Sequence, residues 1–412
     1  NSYLRERVVF MDIPLSSRQL NAGMLRIDVP HVTPDSTNLR VMALFNEHHS
    51  LIGLPVLENN RPLGMINRHI FLSQMSRPFF HELYDQKSCI AFMDKTPLIV
   101  EARAGLDYLA AQVVETGDKA VTEGFILTED GQYIGIGLGI DLIKTVSDLQ
   151  ARQHFQLMQS LEYARVIQES MLNRSRQSIE ETLNDWCLFW QPRDCVGGDI
   201  YAFRRDERGW LAVIADCTGH GVPGEFMNFI FASALEKALT QAAPHEPERL
   251  LAVINRYIKQ TLSQLHPTAD LSQSNDGCDA IALYVDNHNA QMIWANAQMH
   301  AFVLGAQAED VCVLEADRKG LGYSDTSSDQ QWRRYQRPLV KGDRVLIVTD
   351  GLTDQIGGER GIMLGKKRIQ SLLLQERQLP MQDFSRALAA ALQTWQGQEL
   401  SRDDITWFGF RW

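Results

Sequence analysis

The sequence predicts an α+β protein in which a long helix joins two domains of different architecture. The C-terminal half is expected to form layered β-sheets covered by helices, and the front part a smaller α/β domain. Three observations support this. The 412 residues suffice for two or three domains. Apolar runs of strand length in the C-terminal half are mixed with long amphipathic stretches. Residues 146–182 contain no proline or glycine, which favours helix.

The acidic composition argues against nucleic acid as a main partner. The net charge is −11, from 40 basic and 51 acidic side chains, whereas a phosphate backbone favours a basic surface. No run of 18 apolar residues predicts a transmembrane helix, and no signal peptide opens the chain. The first residue is Asn1, which leaves an upstream anchor open. Six irregularly spaced cysteines without a Cys-x-x-Cys pair favour reduced thiols in a cytoplasmic protein over a zinc site.

The front region is expected to be an extension, residues 1–35, followed by an internal duplication in residues 36–145. Each of two similar blocks contains a strand, a turn that carries a Glu, and a second strand. These segments are 51–57, 58–61 and 62–66 in the first block, and 123–128, 129–132 and 133–137 in the second.

This duplicated region, residues 36–145, resembles a pair of cystathionine β-synthase (CBS) domains. Such pairs often bind adenine nucleotides through a Gly, a Ser or Thr three residues later, and an Asp three residues after that. The second block reads Gly135-Ile-Gly-Leu138-Gly-Ile-Asp141, which implies that Asp141 would hold the ribose. Leu138 stands in the hydroxyl position, and the first block has Ile70 in place of the Asp. A purely structural or dimerising role is the alternative.

Residues 146–182 are predicted to form a linker helix. Leu157, Leu161, Ala164 and Met171 are spaced by four, three and seven residues, with Gln168 at the intervening step. So narrow a seam suits a contact between two helices. We therefore expect a homodimer through this helix and the N-terminal domain, the alternative being a single helix packed on its own domain.

Residues 183–412 carry the candidate chemistry. The predicted strands are 209–216, 279–286, 291–297, 343–350 and 404–411, and the predicted helices are 224–241, 247–265 and 381–396. Aspartates stand where three of the apolar runs start or stop, in the segments Ile214-Ala-Asp216, Val348-Thr-Asp350 and Asp403-Asp404-Ile405. Asp199 follows a glycine pair in a fourth motif. Several carboxylates converging at sheet edges repel one another unless cations lie between them, and hard oxygen ligands suit Mg²⁺ or Mn²⁺.

These motifs, in this order, resemble the PPM superfamily of protein phosphatase 2C-like serine/threonine phosphatases. Within it they are most similar to the bacterial SpoIIE and RsbU branch and its SiaA type, over essentially all of residues 185–412. The resemblance implies an αββα sandwich and two Mn²⁺ or Mg²⁺ ions. Asp199 and Asp216 would hold both ions, with the backbone carbonyl of Cys217 as a further ligand. Asp350 and Asp403 would complete one shell, and Asp404 is the less favoured ligand.

The implied reaction is hydrolysis of a phosphoserine or phosphothreonine by a metal-activated water. By family resemblance, the substrate would be a phosphorylated anti-sigma-factor antagonist of the STAS type. The eukaryotic branch has a phosphate-gripping Arg that finds no match here. His220 is displaced by two positions from the catalytic His of that branch. Asp279 is expected to cap a strand end or join a third metal, and the role of His300 stays open.

The leading hypothesis is therefore a dimeric phosphatase that the front domain regulates through the linker helix. A catalytically inactive module that binds a phosphoprotein is the alternative from another class. In a third hypothesis, nucleotide binding by the front half is the main function.

Overall fold

The computed structural model describes residues 20–262 and 275–412. The chain divides into two compact units, Asn1–Gln156 (unit 1) and Leu157–Trp412 (unit 2). The long helix α6, Gly139–Thr182, contributes its first part to unit 1 and its last part to unit 2.

Unit 1 contains two small sheets, β1-β2 and β3-β4-β5, with helices between the strands. Its strands are β1 (Gly53–Glu58), β2 (Arg61–Asn67), β3 (Ile99–Glu101), β4 (Phe125–Glu129) and β5 (Gln132–Gly137). Its helices before α6 are α1 (Asn38–Glu47), α2 (Arg68–Met75), α3 (Phe80–Tyr84), α4 (Leu106–Thr116) and α5 (Asp118–Glu123). Single 3-10 turns lie at Ala22–Leu25 and Cys89–Phe92.

The hairpins β1-β2 and β4-β5 confirm the predicted repetition of strand, turn and strand. Asn59 and Asn60 in the first turn, and Asp130 and Gly131 in the second, all have positive φ. That conformation suits two-residue hairpin turns, and Asn, Asp and Gly tolerate it best. Each hairpin also has one register shift, in its first strand three or two residues before the turn.

The described residues of unit 2 form the last part of α6, two five-stranded sheets, a small hairpin and five further helices. The first sheet has the order β13-β10-β9-β8-β7, with β7 (Asp199–Arg205), β8 (Gly209–Cys217), β9 (Cys278–Asp286), β10 (Gln291–Ala297) and β13 (Tyr335–Pro338). The second has the order β12-β11-β14-β17-β6, with β6 (Trp186–Gln191), β11 (His300–Leu304), β12 (Cys312–Val313), β14 (Arg344–Val348) and β17 (Ile405–Arg411). The hairpin pairs β15 (Ile356–Gly357) with β16 (Ile362–Met363).

The two sheets pack face to face, and central strands such as β8, β9 and β14 are buried on both sides. In β14, Val345 and Ile347 join the core between the sheets, whereas Leu346 and Val348 join the core under the outer helices. Successive side chains of a strand point to opposite faces, so this alternation assigns each face its core. Trp210 of the first sheet meets Phe410 of the second edge-on, with ring centroids 4.9 Å apart.

Helices cover the outer faces and complete the predicted αββα layering. The helices are α7 (Gly221–Gln241), α8 (Pro247–Thr261), α9 (Asp350–Asp354), α10 (Lys366–Gln375) and α11 (Met381–Gln396). α7 and α8 pack on the first sheet, and α10 and α11 pack on the second. The α+β fold class is therefore confirmed.

Three boundary predictions need correction. Asp350 does not end a strand but begins the short helix α9, because β14 already stops at Val348. Asp404 precedes β17 rather than starting it. α7 begins at Gly221, three residues before the predicted start. The predicted end of α8, residues 263–265, lies outside the described residues.

The last part of α6 belongs to the body of unit 2. Gln168, Leu172, Ser175 and Ile179 are buried there, at spacings of four, three and four residues. The Ser175 hydroxyl accepts a hydrogen bond from the backbone N–H of Phe203 in β7. Because these residues face their own unit, the prediction that Gln168 lies in a seam between two helices is wrong.

Neither a membrane-spanning helix nor a disulfide bond occurs among the described residues. Within residues 20–262 and 275–412, no helix is both long and apolar enough to cross a bilayer. All six cysteines are free thiols, and the Sγ atoms of Cys217 and Cys278 face each other across β8 and β9.

Candidate metal centre

Three aspartates lie side by side at one end of the first sheet. Asp199 begins β7 and stands directly opposite Asp216 near the end of β8. Asp216 stands opposite Asp279 on β9. Residues directly opposite each other in antiparallel strands share a face of the sheet, so these side chains project to the same side.

The second sheet contributes carboxylates from the facing layer. Asp350 follows β14, and Asp403 lies in the loop before β17. Asp350 and Asp403 both raise the pKa of Asp216 through their charge, and Asp403 also raises the pKa of Asp199. The structure thus brings together Asp199, Asp216, Asp350 and Asp403, the four side chains that the sequence analysis singled out.

The crowding of these carboxylates changes their acid strength. Burial, followed by the charges of Asp199 and Asp350, raises the pKa of Asp216 well above its usual value. Burial also raises the pKa of Asp199, against the nearby Thr406 and Thr349 hydroxyls, which lower it. Partial enclosure raises the pKa of Asp350, against the neighbouring Asp216 carboxyl, which lowers it. Protons or cations are needed to compensate so many neighbouring negative charges.

The Asp199 carboxylate supplies an independent test of whether cations fit. Its residue is only 1% exposed, and Oδ2 accepts a hydrogen bond of 2.9 Å from the Thr349 hydroxyl. Its Oδ1 is buried without a hydrogen-bond partner among the described residues. A hard cation would satisfy such an oxygen, and carboxylates are the ligands that Mg²⁺ and Mn²⁺ prefer. In the described part of the chain, no three Asp, Glu, His or Cys side chains hold an ion without rearranging.

Close backbone packing brings the loop before Asp199 against the end of β8. A Cβ atom on Gly198 would lie 2.5 Å from the carbonyl oxygen of Cys217, so only glycine fits here. The Cys217 carbonyl, a predicted ligand, therefore lies beside Asp199. The Asp404 carboxylate fastens the same loop by accepting hydrogen bonds from the backbone N–H groups of Gly198 and Arg193. Asp404 is thus occupied as an anchor of the loop.

Two amide side chains, whose contacts sequence reasoning missed, also hold this loop. Gln168 of α6 donates to the Gly197 carbonyl at 2.8 Å and accepts from the Gly197 N–H at 3.3 Å. Asn228 of α7 donates to the carbonyl oxygens of Gly197 and Asp199, at 2.7 and 3.2 Å. For Gln168, the sequence offered one signal, which is its position as a polar residue in an otherwise apolar stripe of the helix. For Asn228 no periodic pattern indicated a partner.

His220, His300 and Asp279 lie around this centre, and each has neighbouring groups of its own. His220 Nδ1 lies 2.9 Å from Asp194 Oδ2, and both side chains are about half exposed, at 47% and 46%. Asp194 was not singled out by the sequence. Burial, then the charge of Lys366, lowers the pKa of His300. Burial raises the pKa of Asp279 to about 6, against the nearby Tyr323 hydroxyl, which lowers it.

Asp141, the candidate nucleotide ligand, belongs to unit 1. It occupies the first turn of α6 in unit 1, where its backbone N–H donates to the Leu138 carbonyl at 3.1 Å.

Comparison with protein families gives two matches. The family described as Stage II sporulation protein E (SpoIIE) matches residues 206–412, about half of the chain. The CBS domain family matches residues 22–77. Both confirm resemblances that the sequence motifs indicated, although the CBS match covers only the first of the two blocks.

Individual relatives agree with the family matches. The phosphoserine phosphatase RsbU of Bacillus subtilis (strain 168) is 24% identical over 224 residues, which are 54% of this chain. The chain spans 60% of the length of that relative. The solved SiaA-PP2C domain of Pseudomonas aeruginosa is 30% identical, with a TM-score of 0.57, over 64% of this chain and 99% of that one.

Proposed function

The chain belongs to the SpoIIE (Stage II sporulation protein E) family, and on that premise we propose that it is a metal-dependent protein-serine/threonine phosphatase. The observation that carries the proposal is the meeting of aspartates from both sheets around Asp199, whose buried Oδ1 has no partner among the described residues. The similarity to RsbU, which is named a phosphoserine phosphatase, and to the SiaA-PP2C domain supports the same reaction.

In this proposal the chain's own groups hold two Mn²⁺ or Mg²⁺ ions. Asp199 and Asp216 would hold both ions, the Cys217 carbonyl would be a further ligand, and Asp350 and Asp403 would complete the set. Bound ions of this kind lower the pKa of a water molecule and neutralise phosphoryl oxygens. Thr349 orients Asp199 through its hydroxyl, and Asp404 keeps the loop before Asp199 in place.

Phosphate release should depend on added metal. We expect the full chain to hydrolyse p-nitrophenyl phosphate with Mn²⁺ or Mg²⁺, to lose this activity in a chelator, and to regain it when the metal is returned. Folded protein that shows no turnover under any metal would point instead to the alternative, an inactive module that binds a phosphoprotein.

The proposal extends to the substrate, the oligomeric state and the cellular location of the protein. We propose a phosphorylated STAS-domain protein as substrate, in keeping with the similarity to RsbU, and phosphate release from such a protein tests it.

We propose a homodimer through α6, because Tyr163 and Val166 leave large apolar surface exposed on that helix. Sedimentation equilibrium of the full chain measures it. Six free cysteines suit the reducing cytoplasm, where we place the protein.

We propose that the front unit regulates the catalytic centre through α6. The support is the pair of hydrogen bonds from Gln168 to Gly197, two residues before Asp199. Nucleotide binding at Asp141 would be one possible signal, and calorimetry of the full chain with ATP and AMP would test it.

Gln168→Leu should weaken metal activation without unfolding the chain. The substitution keeps the side chain's bulk but removes both hydrogen bonds to Gly197, each of which contributes about 1 kcal/mol. We expect the Mn²⁺ concentration for half-maximal activity to rise roughly tenfold. The matched control is Gln177→Leu, on an exposed position of the same helix. Equal metal requirements for the two variants would contradict the proposed route.

A further inference from the structure

His220 lies in the turn between β8 and α7. The glycines on either side of it, Gly219 and Gly221, both have positive φ, a conformation that residues with a side chain rarely adopt. A Cβ atom on Gly198 would lie 2.7 Å from the Gly219 carbonyl oxygen, so the turn packs directly against the residue before Asp199. The backbone therefore holds His220 beside the candidate metal centre.

Asp194 fixes the orientation of the His220 imidazole. Its Oδ2 lies 2.9 Å from His220 Nδ1, within hydrogen-bond distance. A Cβ atom on Gly221 would lie 3.3 Å from the same oxygen, so the carboxylate also lies close to the start of α7. Asp194 Oδ1 lies 4.0 Å from Nε of Arg193. A carboxylate that accepts from one ring nitrogen of a histidine fixes the direction in which the other nitrogen points.

The other ring nitrogen, Nε2, is available to a substrate. Among residues 20–262 and 275–412 it has no hydrogen-bond partner, and the His220 side chain is 47% exposed. A substrate that reaches the metal centre from solvent therefore meets a half-exposed imidazole. His300 differs, because burial and then the charge of Lys366 lower its pKa, so it holds a proton less readily. Of these two histidines, His220 is the better placed proton donor.

The chemistry of the leaving group creates the need for such a donor. When the bond between phosphorus and a serine or threonine oxygen breaks, its electron pair goes to that oxygen. The resulting alkoxide is strongly basic, and a general acid at the leaving oxygen typically accelerates such a step by about 100- to 10,000-fold. The carboxylates of the centre cannot supply this proton while they hold cations, because ligands of a metal ion are deprotonated.

We propose that His220 is the general acid of the phosphatase reaction and that Asp194 is its positioning residue. The inference rests on the proposed function, because it adds a residue to the same reaction. A water oxygen forms the new bond to phosphorus, and one proton of this water passes to solvent. The bond from phosphorus to the serine oxygen breaks, and that oxygen takes the proton from Nε2 of His220. The products are the serine hydroxyl and inorganic phosphate, and solvent returns a proton to the exposed imidazole.

Substrates with different leaving groups test this role in the full chain with Mn²⁺. p-Nitrophenyl phosphate releases a stable anion that needs no proton, whereas phenyl phosphate and a phosphoserine peptide release increasingly basic oxygens. We expect His220→Gln to lower kcat about 100-fold for the phosphoserine peptide and less than about fivefold for p-nitrophenyl phosphate, with phenyl phosphate between them. Asp194→Asn should show smaller losses in the same order. The matched control is His288→Gln, in the exposed turn after β9, which should behave as the original chain on all three substrates.

Other results would overturn the proposal. Equal losses on all three substrates would show that His220 supports the structure of the centre and donates no proton. Undiminished hydrolysis of the phosphoserine peptide by His220→Gln would also refute it. If the peptide is not hydrolysed by the original chain, the comparison of phenyl phosphate with p-nitrophenyl phosphate decides. If the original chain hydrolyses none of the three with any metal, the proposed function itself fails, and the general acid with it.

Discussion

Asp216→Asn should reduce metal-dependent phosphate release at least ~100-fold, a loss of roughly 3 kcal/mol of transition-state stabilisation. Asp216 stands opposite both Asp199 and Asp279, and the charge of the neighbouring Asp350 raises the pKa of Asp216. The amide has the same shape but no negative charge, so it cannot replace the carboxylate between two cations.

Two measurements make the Asp216 result specific. Mn²⁺ affinity by calorimetry should fall together with activity, while the melting temperature should hold or rise because a buried negative charge has been removed. Asp310→Asn, on an exposed loop of the same unit, is the matched control and should behave as the original chain. Full activity in Asp216→Asn would remove Asp216 from the centre.

Neighbouring aspartates before β17 should respond in opposite ways to the same substitution. Asp404→Asn should lower the free energy of unfolding by about 2 kcal/mol, because its carboxylate accepts hydrogen bonds from two backbone N–H groups. An asparagine would turn its NH₂ group towards one of these donors. Burial raises the pKa of the Asp404 carboxyl, against the two amide hydrogen bonds that lower it. We therefore expect the loss of stability to lie near the lower end of the range for hydrogen bonds to charged groups.

Asp403→Asn should leave stability almost unchanged but abolish metal binding. Its Oδ1 accepts only the backbone N–H of Asp404, at 2.9 Å, and an asparagine oxygen can do the same. We expect the melting temperature of Asp404→Asn to fall by about 4–8 °C and that of Asp403→Asn to stay within about 1 °C. Calorimetry with Mn²⁺ completes the comparison. Should Asp404→Asn lose metal binding without losing stability, the two roles would have to be exchanged.

Much of this centre could be predicted because its residues sit at the ends of apolar runs. Asp216 and Asp350 follow uninterrupted buried stretches, which the two-residue period of strands and their burial make visible in the sequence. The start of α9 at Asp350 could not be predicted in the same way. A helix of five residues contains too few turns to show a period.

The supporting contacts of the loop before Asp199 were hidden for a different reason. Gln168 and Asn228 bond to backbone groups about 30 positions away along the chain. Asp404 bonds to Gly198 across 206 positions. Any loop carbonyl or N–H can accept or donate such bonds, so the partner's residue type carries no information. Only the fold brings these side chains to one loop.

The burial of the last turns of α6 in unit 2 has a consequence for how the catalytic part can be isolated. β6 and β7 are the edge strands of the two sheets, and Ser175 already bonds to the backbone of β7. A fragment starting at residue 183 would expose these strand edges together with the apolar surface against which Leu172 and Ile179 pack. Bare strand edges pair with other molecules, so such a fragment would aggregate. A recombinant catalytic fragment that stays monodisperse would have to retain the helix from about Leu157 onward.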